Sequence, residues 1–214
     1  MFPKTKLSLI LIGAGGHARS CIDVIEQQNS FHIDGLVGLP DQKLIENFGY
    51  RVIGEDRDLP ELAKIYQYAL IAIGQIKTAA HRVHLYHMST QLGFQLPIII
   101  APSAHVSCHA LLGAGTIVMH GAIVNAGANV GNNCIINNRA LIDHDAIVED
   151  HCHISTGAVL NGNVVVGAGS FIGSGSVIKE GVSIGKNCVV GMGLTIRHNL
   201  NNSSYFPEQD SHGK

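Results

Sequence analysis

The sequence predicts an α/β domain with a small parallel sheet over residues 1–97, an all-β solenoid of short parallel strands over 98–196, and a polar C-terminal tail over 197–214. Three observations carry this reading. An aliphatic residue recurs at every sixth position through the second half, a glycine-rich turn follows the first apolar run, and charged residues are only 14% of a chain holding 25 Gly. That composition suits tight turns and little exposed helix.

Period six decides the second half. Stepping from Ile100 meets Val106, Leu112, Val118 and Val124, and the series stays aliphatic through Ile142, Ile154 and Leu160 to Ile196. Four residues after each start the chain places a residue that is nearly always small, such as Ala104, Ala122, Cys134 or Ser170. An amphipathic helix repeats every three to four residues and a lone strand every two, so neither accounts for six. A solenoid does: each hexad makes one short strand and one turn, and three hexads close a triangular coil around an inward aliphatic column. The sixteen hexads from Ile100 to Thr195 give about five such coils.

In the first half, strands are expected over 7–12, 31–37, 52–53 and 68–73, with helices over 18–28, 59–67 and 77–92. Alternation of this kind implies a small parallel sheet. Between the first strand and helix lies Gly13-Ala14-Gly15-Gly16-His17-Ala18-Arg19. Glycines allow a sharp turn and close backbone approach, and free N–H groups at a helix start attract phosphate. The spacing fits G-x-G-x-x-A with Asp34 about 20 residues on, as in a dinucleotide site, although so short a domain holds half the usual sheet. A purely structural turn and a mononucleotide or UDP-sugar grip are the other readings, and the last is preferred.

Charge and cysteine content bound the partners. With net charge −2 and no dense run of Lys or Arg, nucleic acid and anionic membrane surfaces are poor partners. The first apolar run is too short for a signal-peptide core or a membrane span, so a cytoplasmic protein is expected. Five Cys without a CxxC pair read as reduced, mostly buried thiols. No metal is expected: His151-Cys152-His153 could ligate one, but Cys152 falls on the small position and should point away from both His.

The GAGGHAR loop followed by the hexad array resembles the hexapeptide-repeat sugar acyltransferases. These include UDP-4-amino-sugar N-acetyltransferases of bacillosamine synthesis, perosamine N-acetyltransferases and sialic acid O-acetyltransferases. The resemblance implies a left-handed β-helix, a homotrimer, acetyl-CoA along the groove between neighbouring β-helices, and an N-terminal domain that holds the nucleotide of the acceptor. Their motif of His, acidic residue and a second His nine residues on matches His144, Asp145 and His153. By that match His144 is the general base and Asp145 its orienting carboxylate. His153, Gly162 and Gly191 fall to acetyl-CoA, with the Gly162 N–H facing the thioester oxygen. Gly13, Gly15, Gly16, His17, Gly74 and Asn137 fall to the acceptor.

The chemistry is consistent with those roles. A neutral imidazole with a pKa near 6.5 can take a proton from an attacking amine or hydroxyl, and a carboxylate on its other nitrogen selects the tautomer. One backbone donor at a developing oxyanion is worth about 3 kcal/mol. Asn125, Asp143 and Asn161, each 18 apart, read as a stacked ladder between coils. The expected function is acetyl transfer from acetyl-CoA to the amino group of a UDP- or GDP-linked 4-amino sugar in surface glycan biosynthesis. O-acetylation of a sialic-acid-like sugar, a non-catalytic scaffold and a metal-dependent hexapeptide-repeat enzyme are the alternatives.

Overall fold

The computed structural model describes residues 6–39 and 47–207. Its first half contains β1 (Leu7–Ile12), α1 (Gly16–Gln28), β2 (Phe31–Val37), β3 (Val52–Gly54), α2 (Leu59–Leu62), β4 (Tyr68–Ile71) and α3 (Ala80–Gln91). The four strands are parallel in the order β3-β2-β1-β4. The strand order reverses direction between β1 and β4, which opens a crevice at their carboxyl ends.

Three elements are shorter than the sequence suggests. α2 has only Leu59 and Leu62 to bury, and Ile65 beyond them is 72% exposed, so no apolar face sustains another turn. α3 starts at Ala80, whose N–H donates to Thr78 Oγ1. Residue 73, expected at the end of a strand, and residue 77, expected at the start of a helix, instead belong to the loop by which Gln75 reaches the second domain.

From Ile99 onward, two-residue strands recur every six residues and form three parallel sheets. One face has seven strands, from Ile99–Ile100 to Tyr205–Phe206. The second has six, from His105–Val106 to Thr195–Ile196, and the third five, from Leu111–Leu112 to Ser183–Ile184. Partners are 18 residues apart, as Ile136 on Ile154 and Ile142 on Leu160. This is a left-handed parallel β-helix, an exception to the right-handed rule for parallel connections. Every hexad start from Val118 to Ile196 is buried, and the small positions Ala122, Cys134, Ala140, Cys152 and Cys188 are wholly inaccessible.

The first face carries the α/β domain. The apolar side of α1 (Ala18, Cys21, Ile22, Val24, Ile25) shares one core with Ile99, Ile117 and Ile135, the outward residues of that face. Elsewhere, the outward residues Leu111, Ile123 and Ile147 are 66%, 40% and 42% exposed.

The tail departs from expectation. Past Ile196 the chain keeps winding: Asn199 Oδ1 accepts from the Ser183 N–H at 2.9 Å, Asn202 Oδ1 accepts from Lys186 N–H at 2.8 Å, and Tyr205–Phe206 pairs with Val189–Val190. The Asn side chains of this polar segment supply acceptors for the exposed N–H groups of the coil below. Residues 208–214 of the expected tail lie outside the described residues.

Candidate active site

Stacked corners build the first half of the site. Asp143-His144-Asp145 turns the chain from the second face to the third, and Asn161-Gly162-Asn163 makes the same corner one coil later, joined by Asn163 N–H to His144 O at 3.1 Å. Asp145 has φ 59°, a left-handed value that Asp tolerates. The corner holds its carboxylate 2.9 Å from His144 Nδ1. A carboxylate accepts, so Nδ1 carries the proton and Nε2 presents its lone pair. Both side chains face solvent, His144 at 55% and Asp145 at 62% exposure. The hydrogen bond to Asp145, reinforced by the charge of Asp143, raises the His144 pKa above its ordinary value. Asp143 itself is lowered, by the His144 N–H and by Asn125 Nδ2 on its carboxylate.

Gly162 belongs in this cluster. A Cβ built there would lie 2.5 Å from His144 Cε1 and 2.6 Å from Nε2, so the imidazole rests directly against the glycine. At the neighbouring corners Asn125, Asn137 and Asp143 cap the next N–H with their own side-chain oxygens. Asn161 instead donates Nδ2 to Ile178 O, and among the described residues the Gly162 N–H has no acceptor. The expected ladder thus runs from Asn125 to Asp143 and stops before Asn161. Gly162→Ala is expected to push the His144 ring off this corner and, on the general-base role proposed below, to cut turnover about 100-fold. Because an exposed ring can swing into water, unfolding free energy should change by only about 1 kcal/mol, as read from denaturant titration.

His153 and Asn137 form a separate cluster. His153 lies on the first face, 7% exposed, with Nδ1 2.7 Å from Gln75 O and Nε2 3.1 Å from Asn137 Nδ2. Burial lowers its pKa to about 4. Gly191 sits at the same prism edge as Asn137, three coils further on. On one chain, then, His144, Asp145 and Gly162 occupy one edge, and Asn137 and Gly191 another.

The third group encloses a cavity of about 370 Å³ at the carboxyl ends of β1, β2 and β4. Gly13, Gly15, Gly16, His17 and Gly74 line it with Asp56 and His81 opposite. Only Gly13 must be glycine on steric grounds: its φ is 131° and a Cβ would press on the Ala72 carbonyl, whereas Cβ atoms at Gly15 and Gly16 would meet nothing within 4 Å. Those two open positions lie at the start of α1, whose free amides favour an anion. His17 is pushed down to about pKa 3, mainly by burial and then by His153, and its Nε2 has no hydrogen-bond partner.

Residues missed by sequence reasoning are Gln75, Arg82 and Asn133, a hydrogen-bonded chain that ends at the Gln75 carbonyl beside His153. A faint signal existed for one: Arg82 shares the buried face of α3 with Leu85 and Ser89, where a cation is out of place.

This fold, an α/β domain on a left-handed hexapeptide-repeat prism, is that of the hexapeptide-repeat acyltransferases. Residues 8–85 match the PglD N-terminal domain, and 163–197 match the hexapeptide repeat of succinyl-transferase. A mutant of perosamine N-acetyltransferase from Caulobacter crescentus, in complex with CoA and GDP-perosamine, is 32% identical, with TM-score 0.88 over 94% of this chain and 93% of that one. The acetyltransferase domain of PglB from Neisseria gonorrhoeae FA1090, in complex with acetyl coenzyme A, is 29% identical, with TM-score 0.87 over 95% and 97%. WeeI from Acinetobacter baumannii AYE, 19% identical with TM-score 0.71 over 94% and 96%, shares the fold. No curated protein sequence matches. The chain belongs to the hexapeptide-repeat sugar acyltransferase family that contains the perosamine and PglB enzymes. No helix among the described residues is long and apolar enough to cross a membrane.

Proposed function

We propose that this enzyme transfers acetyl from acetyl-CoA to the amino group of a UDP- or GDP-linked 4-amino sugar in surface glycan biosynthesis. The observation that carries the reading is the His144–Asp145 pair against Gly162, on a chain aligned over 94% of its length with a 32%-identical N-acetyltransferase. His144 Nε2 takes the proton as the amine nitrogen attacks the thioester carbonyl carbon. Asp145 stabilises the imidazolium. The unpartnered Gly162 N–H donates to the carbonyl oxygen as charge collects there. When the C–S bond breaks, the imidazolium returns its proton to the leaving thiolate. The cavity at α1 suits the nucleotide, because its open glycines admit a phosphate to the helix start. Both substrates belong to the cytoplasm, which is the setting proposed.

A single site that uses both separated edges is formed, in this reading, by more than one chain. A groove between neighbouring prisms unites the His144 edge of one copy with the Asn137–Gly191 edge of the next, and the uncovered Leu111, Ile123 and Ile147 offer apolar surface for that contact. Sedimentation is expected to show a homotrimer; a concentration-independent, active monomer would contradict this. Thiol release should be measured with acetyl-CoA and UDP- or GDP-linked 4-amino sugars beside their 4-hydroxy counterparts. Release should require the amine, and release with hydroxyl acceptors alone would sink the N-acetyl reading.

A further inference from the structure

Between the nucleotide cavity and His153 runs a buried polar relay that the acetyl-transfer chemistry does not itself require. Arg82 is 2% exposed, yet none of its hydrogen-bond partners is a carboxylate. Its Nη1 donates to Gln75 Oε1 at 3.1 Å, its Nη2 to Asn133 O at 2.7 Å and Asn133 Oδ1 at 3.0 Å, and its Nε has no partner. Burying a guanidinium among neutral acceptors is expensive, so packing alone is a poor reason for it. Gln75, 4% exposed, spans the junction: Nε2 donates to Gly169 O at 2.9 Å, Oε1 accepts from Arg82, and its backbone carbonyl faces His153 Nδ1 at 2.7 Å.

We propose that Gln75, clamped by Arg82, is a positioning residue that fixes His153 as the neutral Nδ1–H tautomer and thereby aims Asn137 at the acetyl-transfer groove. A carbonyl only accepts, so the Gln75 carbonyl requires a proton on Nδ1. In a neutral ring Nε2 is then a bare acceptor, and it draws the Asn137 amide nitrogen to 3.1 Å. Asn137 Oδ1 is therefore left to accept from the Asn138 N–H, at 2.8 Å, which sets the amide orientation at that edge. Were Nε2 to carry the proton, the amide of Asn137 would have to flip and its cap on Asn138 would be lost. Gly74, on the cavity wall, directly precedes Gln75, and the His17 ring lies 6.4 Å from that of His153. The segment that lines the cavity is thus the one that orients His153.

The role given to Asn137 rests on the proposed acetyltransferase site, whereas the tautomer does not. Nitrogen NMR on the full-length, unliganded protein should show wild-type His153 with Nδ1 protonated and Nε2 bare. An Nε2–H ring or an averaged mixture in the wild type overturns the proposal, whatever the variants do. Gln75→Ala keeps the backbone carbonyl but loses the side-chain bonds to Arg82 and Gly169 that hold it in place, so His153 should become a mixture and kcat should fall roughly 10- to 100-fold from misplacement near the reacting groups. Gln75→Glu, which keeps an acceptor for Arg82 but removes the donor to Gly169 O, should fall between Gln75→Ala and wild type. If Gln75→Ala folds and keeps both the wild-type tautomer and kcat, Gln75 is only structural. A changed tautomer with undiminished kcat would leave the relay intact but refute its effect through Asn137. Absence of acetyl transfer by the wild type, with the tautomer as stated, would count against the proposed function alone.

Discussion

His144→Ala should lower kcat about 100-fold or more, the range for loss of a positioned general base, while acetyl-CoA affinity measured by calorimetry stays near wild type. His144 is exposed on the single chain and in no apolar cluster, so the variant should fold normally, and because its edge faces the neighbouring prism its assembly is checked by sedimentation before kcat is compared. The pH profile provides a second check. Only neutral imidazole accepts a proton, so the rate must fall as pH drops through the His144 pKa. Because the hydrogen bond to Asp145 raises that pKa first and Asp143 adds to it, the acidic limb should lie above the ordinary value near 6.5. Asp145→Asn removes the larger influence, so it should move the limb to lower pH and reduce kcat less than His144→Ala does. A folded His144→Ala enzyme that turns over at the wild-type rate would remove His144 from the mechanism.

Ile142→Asp should have the largest effect on stability. Ile142 is wholly inaccessible in the aliphatic column, between Val124 on the coil below and Leu160 on the coil above. A carboxylate there has no apparent partner, and the lost packing and desolvation together should cost several kcal/mol, roughly 3–5. Burial raises the pKa of such a carboxyl above its unfolded value. The deficit relative to wild type is therefore smallest below about pH 4 and grows as pH rises through the folded-state pKa. Thermal unfolding of both proteins from about pH 4 to 8 tests this. An unchanged melting temperature at neutral pH would mean that the hexad start does not point inward.

The solenoid was legible because it is one local rule repeated. Whichever coil Ile142 or Ile172 occupies, its neighbours lie 18 residues away in either direction, so a periodicity in sequence is also a list of contacts. The His144–Asp145–Gly162 cluster was legible for the same reason: adjacent residues make the ion pair, and one coil brings the glycine against the ring. The tail was misread because Asn199 and Asn202 cap backbone across 16 residues, and polarity alone does not distinguish a cap from a solvated chain.

By itself the sequence determined the coil, its inward column, the glycine turn that starts α1 and the corner that pairs His144 with Asp145. All of these depend on spacings within one turn or one coil. Tertiary structure alone decided which face of the prism the α/β domain covers, and therefore why Ile117 and Ile135 are buried while Ile123 and Ile147 are not. It also placed Gln75 and Arg82 against residues 51 to 95 positions away, and so brought the Gln75 carbonyl onto His153. Contacts of that range depend on how two separately folded surfaces meet, and no periodicity along the chain encodes it.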